Sequence, residues 1–222
     1  MINFIDKFLN INVFSEVWPF LLEGLLVTVE LAIITLVTSM IVGLIAALLK
    51  ISRIKIVSQI VSAYINIFRG TPLLVQIIII FYALPDLGIN LDRFPAGILA
   101  LTLNNGAYVA EILRGGIESI PKGQKEAAQS LGLNYFQCMY KVILPQAFKN
   151  SLPALTNSFV ALLKDTSLVS VVGVTELLKQ GRQLQTWKAN STPLMGVAIL
   201  YFIVIWPFIM LVDYLEKRLK KS

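Results

Sequence analysis

Glu126-Ala127-Ala128-Gln129-Ser130-Leu131-Gly132-Leu133-Asn134, running on through Val142-Ile143-Leu144-Pro145, is a polar island with helical spacing between two long apolar runs. Pro121 marks a helix start that Ser119 can cap, Gly132 stops that helix, and Asn134 can cap a second one ended by Pro145. The spacing predicts two short helices with a sharp bend. Ala127, Ala128 and Gly132 are close in helical register, so they are expected to form a small-residue patch that another protein's backbone or large side chains can approach closely. The rest of the chain reads as membrane built to carry this island.

Composition agrees with that reading. Of 222 residues, 56% are hydrophobic and 14% charged, too apolar for a soluble domain and with runs long enough to span a bilayer. The net charge of +6 does not point to nucleic acid, because the basic residues sit at helix ends and in short loops, where charge sets orientation. Cys138 is the single cysteine, which excludes an intrachain disulfide and makes it a small packing residue. The absence of histidine removes imidazole acid-base chemistry and the commonest transition-metal ligand.

Five spans are expected, at 19–49, 58–84, 95–114, 151–173 and 194–215, in one transmembrane domain covering 1–222. Met1 to Trp18 places Ile2, Ile5, Phe8 and Leu9 near one face, as in a short interfacial helix, and lacks a basic leader with a small-residue cleavage site. The first span exceeds the thickness of the bilayer core, so it should tilt. In the second, Arg69-Gly70-Thr71-Pro72 predicts a kink or break, since Pro72 removes a backbone hydrogen bond. A break at membrane depth usually lines a cavity. On the third span Asn104, Tyr108 and Glu111 share a face, and the fourth carries the adjacent charges Lys164 and Asp165.

Lys50, Arg53, Lys55, Arg114, Lys122, Lys125, Lys141, Lys149 and the four basic residues of the C-terminal tail fall on one side of these spans. Lys7, Arg93, Lys179, Arg182 and Lys188 fall on the other. The richer side should be cytoplasmic, placing the polar island and the C-terminus inside and the N-terminus outside.

The order Glu126-Ala127-Ala128, Gly132, Val142, Leu144-Pro145 resembles the cytoplasmic signature of permease subunits of ATP-binding-cassette importers, with Val142 where the pattern commonly has isoleucine. The flanks, Arg69 to Gln76 and Tyr108 to Ile117, look like the polar amino-acid uptake branch, and the similarity runs from about Pro19 to about Lys217. The resemblance implies an all-α integral membrane protein: a five-span helical bundle with a coupling-helix pair, residues 118–146, between spans three and four. It implies that Glu126, Ala127, Ala128, Gly132, Leu144 and Pro145 dock on a cytoplasmic ATPase dimer that binds ATP and Mg. It further implies a second permease chain, identical or paralogous, an extracytoplasmic solute-binding protein, and a bacterial plasma membrane. This chain carries no Gly-x-x-x-x-Gly-Lys-Ser/Thr phosphate loop, so the motor is expected on another polypeptide and no cofactor here.

Intramembrane polar residues are costly, and Arg69, Thr71, Gln76, Asn104, Tyr108, Glu111 and Asp165 are the candidates for substrate contact. A zwitterionic amino acid needs a cation or helix N-terminus for its carboxylate and an anion or carbonyls for its ammonium group. Arg69 fits the first role, and Glu111 or Asp165 the second, with a lean towards cationic amino acids. Structural ion pairing fits Arg69 equally well from sequence alone, with an acidic residue of a neighbouring span, and pairing of Glu111 with Arg114 is the alternative for that carboxylate. The rival reading is an ion-gradient-driven secondary transporter or channel using Glu111, Lys164 and Asp165 as a relay; a single clear break and an odd number of spans suit it poorly. A membrane hydrolase fails for want of any catalytic cluster.

Overall fold

The structure is a computed structural model, and it describes residues 7–52 and 54–219; Ile2, Ile5, Arg53, Lys220 and Lys221 lie outside the described residues. The chain is helical throughout, with no strand among those residues. Among the described residues four helices are long and apolar enough to cross a membrane, and a fifth crossing is made if one sharply bent pair counts as a span.

Helix α1 (Ile11–Lys50) starts at Asn10, whose side chain accepts from Asn12 and Val13 backbone N–H groups. The expected boundary between an interfacial helix and a first span at Pro19 is absent: one 40-residue helix runs through it. Pro19 removes only the bond to the exposed Ser15 carbonyl, too little to break so long a helix. At 1.5 Å per residue α1 measures about 60 Å, roughly twice the bilayer core.

The predicted break is sharper than a kink. Helix α2 (Lys55–Gly70) stops at Thr71, which is extended (φ −120°, ψ 148°), and α3 (Leu73–Ile78) leaves at 108° to it. Proline forces the preceding residue out of the helical region, so Pro72 dictates this geometry at Thr71. A π turn (Ile79–Ala83) and a 3₁₀ turn (Leu84–Leu87) extend α3.

Helix α4 (Arg93–Glu118) is the axis of the bundle and packs along α1. The close approach is made by glycine. A Cβ on Gly43 would stand 2.4 Å from Val109 Cγ1, and one on Gly106 would stand 3.0 Å from Val42 Cγ1. Without a hydrophobic force between helices in lipid, such small-residue contacts and interhelical hydrogen bonds carry the packing. Here Asn105 donates to Ser39 Oγ at 2.8 Å and accepts from Ser158 Oγ at 2.8 Å, tying α4 to α1 and to α7.

The polar island follows as α5 (Lys122–Ser130) and α6 (Tyr135–Cys138). Pro145 does not end the second helix. A π turn over Met139–Ile143 leads straight into α7 (Leu144–Asp165), in which Pro145 occupies the first turn, where a missing N–H is tolerated. A 3₁₀ segment (Thr166–Val172) and Gly173 (φ 95°) connect α7 to α8 (Leu177–Lys188), and α9 (Thr192–Leu219) closes the bundle. The main apolar core joins Leu31, Ile77, Ala100, Leu101, Leu162 and Val169, gathered from α1, α3, α4, α7 and the 3₁₀ segment.

Candidate functional site

Two sites stand out, one at the polar island and one at the broken helix. At the island, the bend is a glycine-terminated helix end. Gly132 (φ 78°) donates to Gln129 O at 2.9 Å and Leu133 to Ala128 O at 3.2 Å, satisfying the last carbonyls of α5. Asn134 and Gln137 then cap α6 reciprocally, Gln137 N–H to Asn134 Oδ1 at 2.9 Å and Asn134 N–H to Gln137 Oε1 at 3.0 Å. Ser119 does not cap α5 as the spacing suggested. Its hydroxyl donates to Gly116 O at 2.7 Å, and Pro121 opens the helix with no side-chain cap.

The small-residue patch is also divided. Ala128, 3% exposed, faces inward onto Cys138 and Ile143, while Glu126, Ala127 and Gly132 remain on the surface. A second feature of this surface was not anticipated: Leu131 and Phe136 stand fully outward beside it, 82% and 81% exposed. Leu144 is half-buried and Pro145 exposed.

At the broken helix, a cavity of about 600 Å³ opens between the break, α4 and α7. Of the residues predicted for substrate contact, Thr71, Asn104, Tyr108 and Asp165 lie on its wall; Arg69, Gln76 and Glu111 do not. Gln76 instead repairs the break: its amide nitrogen reaches Phe68 O (2.9 Å), Thr71 O (3.1 Å) and Thr71 Oγ1 (2.8 Å). Asn104 donates to Phe68 O as well, at 3.0 Å. Carbonyls freed by Pro72 are thus satisfied by side chains, as the low-dielectric surroundings require.

Glu111 sits in a cationic knot. Lys50 Nζ lies at 2.6 Å, Arg114 Nη2 at 3.0 Å and Arg69 Nη1 at 3.5 Å from its carboxylate oxygens. Arg69 also lies over the Tyr108 ring, 5.4 Å from its centroid, so it links this knot to the cavity wall. A carboxylate already shared by three cations is a poor receptor for another ammonium group. Asp165 is therefore the carboxylate that faces the cavity, and it makes no ion pair within 4.0 Å among the described residues; its neighbour Lys164 is exposed and does not line the cavity.

Asn105, Asn157 and Ser158 complete the polar wall and were missed from the sequence. The signal existed on α7: Asn157, Ala161 and Asp165 recur every fourth residue, one helical face aimed at the cavity.

Comparison with known proteins agrees with this geometry. Residues 39–221 match the model of the family described as binding-protein-dependent transport system inner membrane component. The chain is 38% identical to the L-cystine transport system permease protein TcyB of Bacillus subtilis (strain 168), over 92% of this chain and 88% of that one. It is 37% identical to the arginine transport system permease protein ArtQ of the same organism, over 92% and 94%. Among solved structures, one described as an amino acid ABC transporter with histidines superposes with a TM-score of 0.87 at 38% identity, covering 98% of this chain and 99% of that one. The inward-facing MetNI methionine ABC transporter shares the fold, with a TM-score of 0.75 at 24% identity, covering 90% and 95%. With a bent, capped helix pair, a polar cavity at a broken span and a family match over most of its length, this chain belongs to the binding-protein-dependent transport system inner membrane components, the permease subunits of ATP-binding-cassette importers.

Proposed function

We propose that this chain is the permease subunit of an importer for polar amino acids, and that the cavity between the break, α4 and α7 is its half of the substrate site. The observation that carries the reading is Asp165, a carboxylate without an ion-pair partner among the described residues, on a wall shared with Asn157, Ser158, Asn104 and Tyr108. Asp165 would receive the substrate ammonium or a cationic side chain, and the amide and hydroxyl groups its carboxylate. Cationic amino acids suit such a wall best, since the other predicted carboxylate, Glu111, is engaged by Lys50, Arg69 and Arg114.

The cavity is lined by the break, α4 and α7 of one chain, and a second permease chain, identical or paralogous, would complete it. The exposed face of α5 and α6, with Glu126, Ala127, Gly132, Leu131 and Phe136, would seat in a cytoplasmic ATPase that binds ATP and Mg. Closure of two such ATPases would rock the bundle between inward-open and outward-open states. The N-terminus would lie outside and the C-terminus in the cytoplasm of a bacterial-type cell, with an extracytoplasmic binding protein delivering solute.

The test is reconstitution of the chain with its ATPase in liposomes, with hydrolysis measured with and without binding protein and each amino acid. Stimulation that requires binding protein and ligand together supports the reading and identifies the substrate. Uptake by the permease alone, driven by an ion gradient, would replace it with the secondary-transporter reading.

A further inference from the structure

Helix α4 leads into the α5–α6 pair and α7 leaves it, so the two pack side by side in opposite directions, and the polar faces they present do not end at the cavity. On the cavity wall stand Asn104, Tyr108 and Ile112 of α4 with Ala154, Ser158 and Asp165 of α7. Nearer the α5–α6 pair lies a second recess of about 270 Å³, walled by Glu111, Ile112 and Ser119 on one side and Asn150, Ser151 and Ala154 on the other. The two spaces share Ile112 and Ala154, one residue from each helix.

Steps of three and four residues place Asn150, Ala154, Ser158, Ala161 and Asp165 in one line along α7. At 1.5 Å per residue that line measures about 22 Å, most of the thickness of the bilayer core. Beneath it the helices touch at backbone distance: a Cβ on Gly116 would stand 2.0 Å from Ser151 Oγ and 2.8 Å from Ala147 O. The Ser151 hydroxyl is itself occupied, donating to Ala147 O at 2.8 Å. Cavity and recess are therefore two lengths of one groove with a sealed floor.

The charges along the groove differ in the way that binding and release require. Asp165, at its deep end, has no ion pair within 4.0 Å among the described residues, whereas Glu111, beside the recess, is engaged by Lys50, Arg69 and Arg114. A cationic solute meets a free carboxylate at one end and a neutralised one at the other. Between them, Ala154 is exposed, so a larger side chain there enters the groove rather than the core.

We infer that an amino-acid substrate leaves the Asp165 cavity along this groove towards the α5–α6 end, and that Ala154, with Ile112, forms the waist it must pass, which a small side chain at position 154 keeps open. The direction and the substrate class rest on the importer reading. The waist itself rests on the geometry.

The experiment reads passage through the waist. Ala161 lines the cavity beyond it and Asn150 the recess before it. The whole transporter, carrying Ala161→Cys or Asn150→Cys, is treated in inverted membrane vesicles with a membrane-impermeant trimethylammonium methanethiosulfonate; the native Cys138 is buried and does not compete. Adding Ala154→Leu should slow labelling of Ala161→Cys about tenfold and leave Asn150→Cys unchanged, while Ala154→Ser slows neither. An unchanged rate at Ala161→Cys overturns the waist. If Ala154→Leu does not assemble, Ala154→Cys, which folds with a small side chain and is enlarged afterwards by the same reagent, replaces it. Modification should then cut uptake about tenfold and dithiothreitol should restore it. Full uptake after modification overturns the waist. Failure of binding protein and ligand to stimulate the unmodified transporter overturns the importer reading instead, and the labelling contrast, which needs no transport, still decides the waist.

Discussion

Asn104 Nδ2 and Gln76 Oε1 stand 3.0 Å apart across the broken second span, and both side chains direct an amide hydrogen at the Phe68 carbonyl. The break is therefore a supported turn, closed by two amides drawn from different helices. Replacing Gln76 with Leu leaves the half-buried Phe68 carbonyl with Asn104 as its remaining side-chain donor and takes a donor from the Thr71 carbonyl, at about 1 kcal/mol. Asn104→Leu should cost a similar amount. The double variant should lose less than the sum, since the Asn104–Gln76 hydrogen bond is already lost in either single variant. Thermal unfolding of the purified transporter measures all three, and strict additivity would show that the pair does not act as a unit.

The knot at Glu111 makes an asymmetric prediction. Glu111→Ala leaves Lys50 and Arg69 without a counter-charge beside Arg114, which keeps only its exposed partner Glu118, so it should lower stability more than Lys50→Met does. Adding Lys50→Met to Glu111→Ala should recover part of the loss. A double variant no more stable than Glu111→Ala alone would mean that packing, not charge, holds this corner.

Gly132 adopts a left-handed conformation that costs a residue with a side chain about 1–2 kcal/mol, and a β-branched residue at the upper end of that range. It lies outside the span packing, and an added Cβ meets nothing within 4 Å. Gly132→Val should therefore uncouple the permease from its ATPase, abolishing stimulated hydrolysis while leaving the melting of the spans within a few degrees of wild type. Full stimulation in this variant would remove the bend from the coupling role.

Asp165→Asn keeps the shape of the cavity wall and removes its charge. If the carboxylate receives a cationic group, the loss should be about 2 kcal/mol or more, roughly thirtyfold in transport at low substrate. Hydrolysis without ligand should not change. Uptake assays at limiting substrate read the effect directly, and wild-type uptake by Asp165→Asn would move the substrate elsewhere.

Much of the molecule was legible in its residues because membrane spans and helix ends obey local rules. Apolar run length predicted the long helices, Pro72 predicted the break, Gly132 the left-handed bend, and Asn134 the cap on α6. Each of these follows from backbone sterics or from hydrogen bonds within a few residues. The errors arose where local rules compete. Pro19 and Pro145 looked like boundaries, yet one long helix and one π turn absorbed them, because a single missing N–H is a small loss beside an otherwise intact helix.

What the sequence could not decide is which partner each polar side chain meets. Arg69, Gln76, Asn104 and Glu111 were all intramembrane polar candidates, separable only when α1, α2, α3 and α4 were packed together. Lys50 comes from 61 positions away to Glu111, and Gln76 from 28 positions away to Asn104. Hydrogen bonds and ion pairs act over about 3 Å, so the assignment of such groups to structure or to the cavity is made by helix packing alone. By itself the sequence determined the class of protein, its breaks and its bends. The tertiary structure decided that Glu111 is held by three cations while Asp165 faces the open cavity.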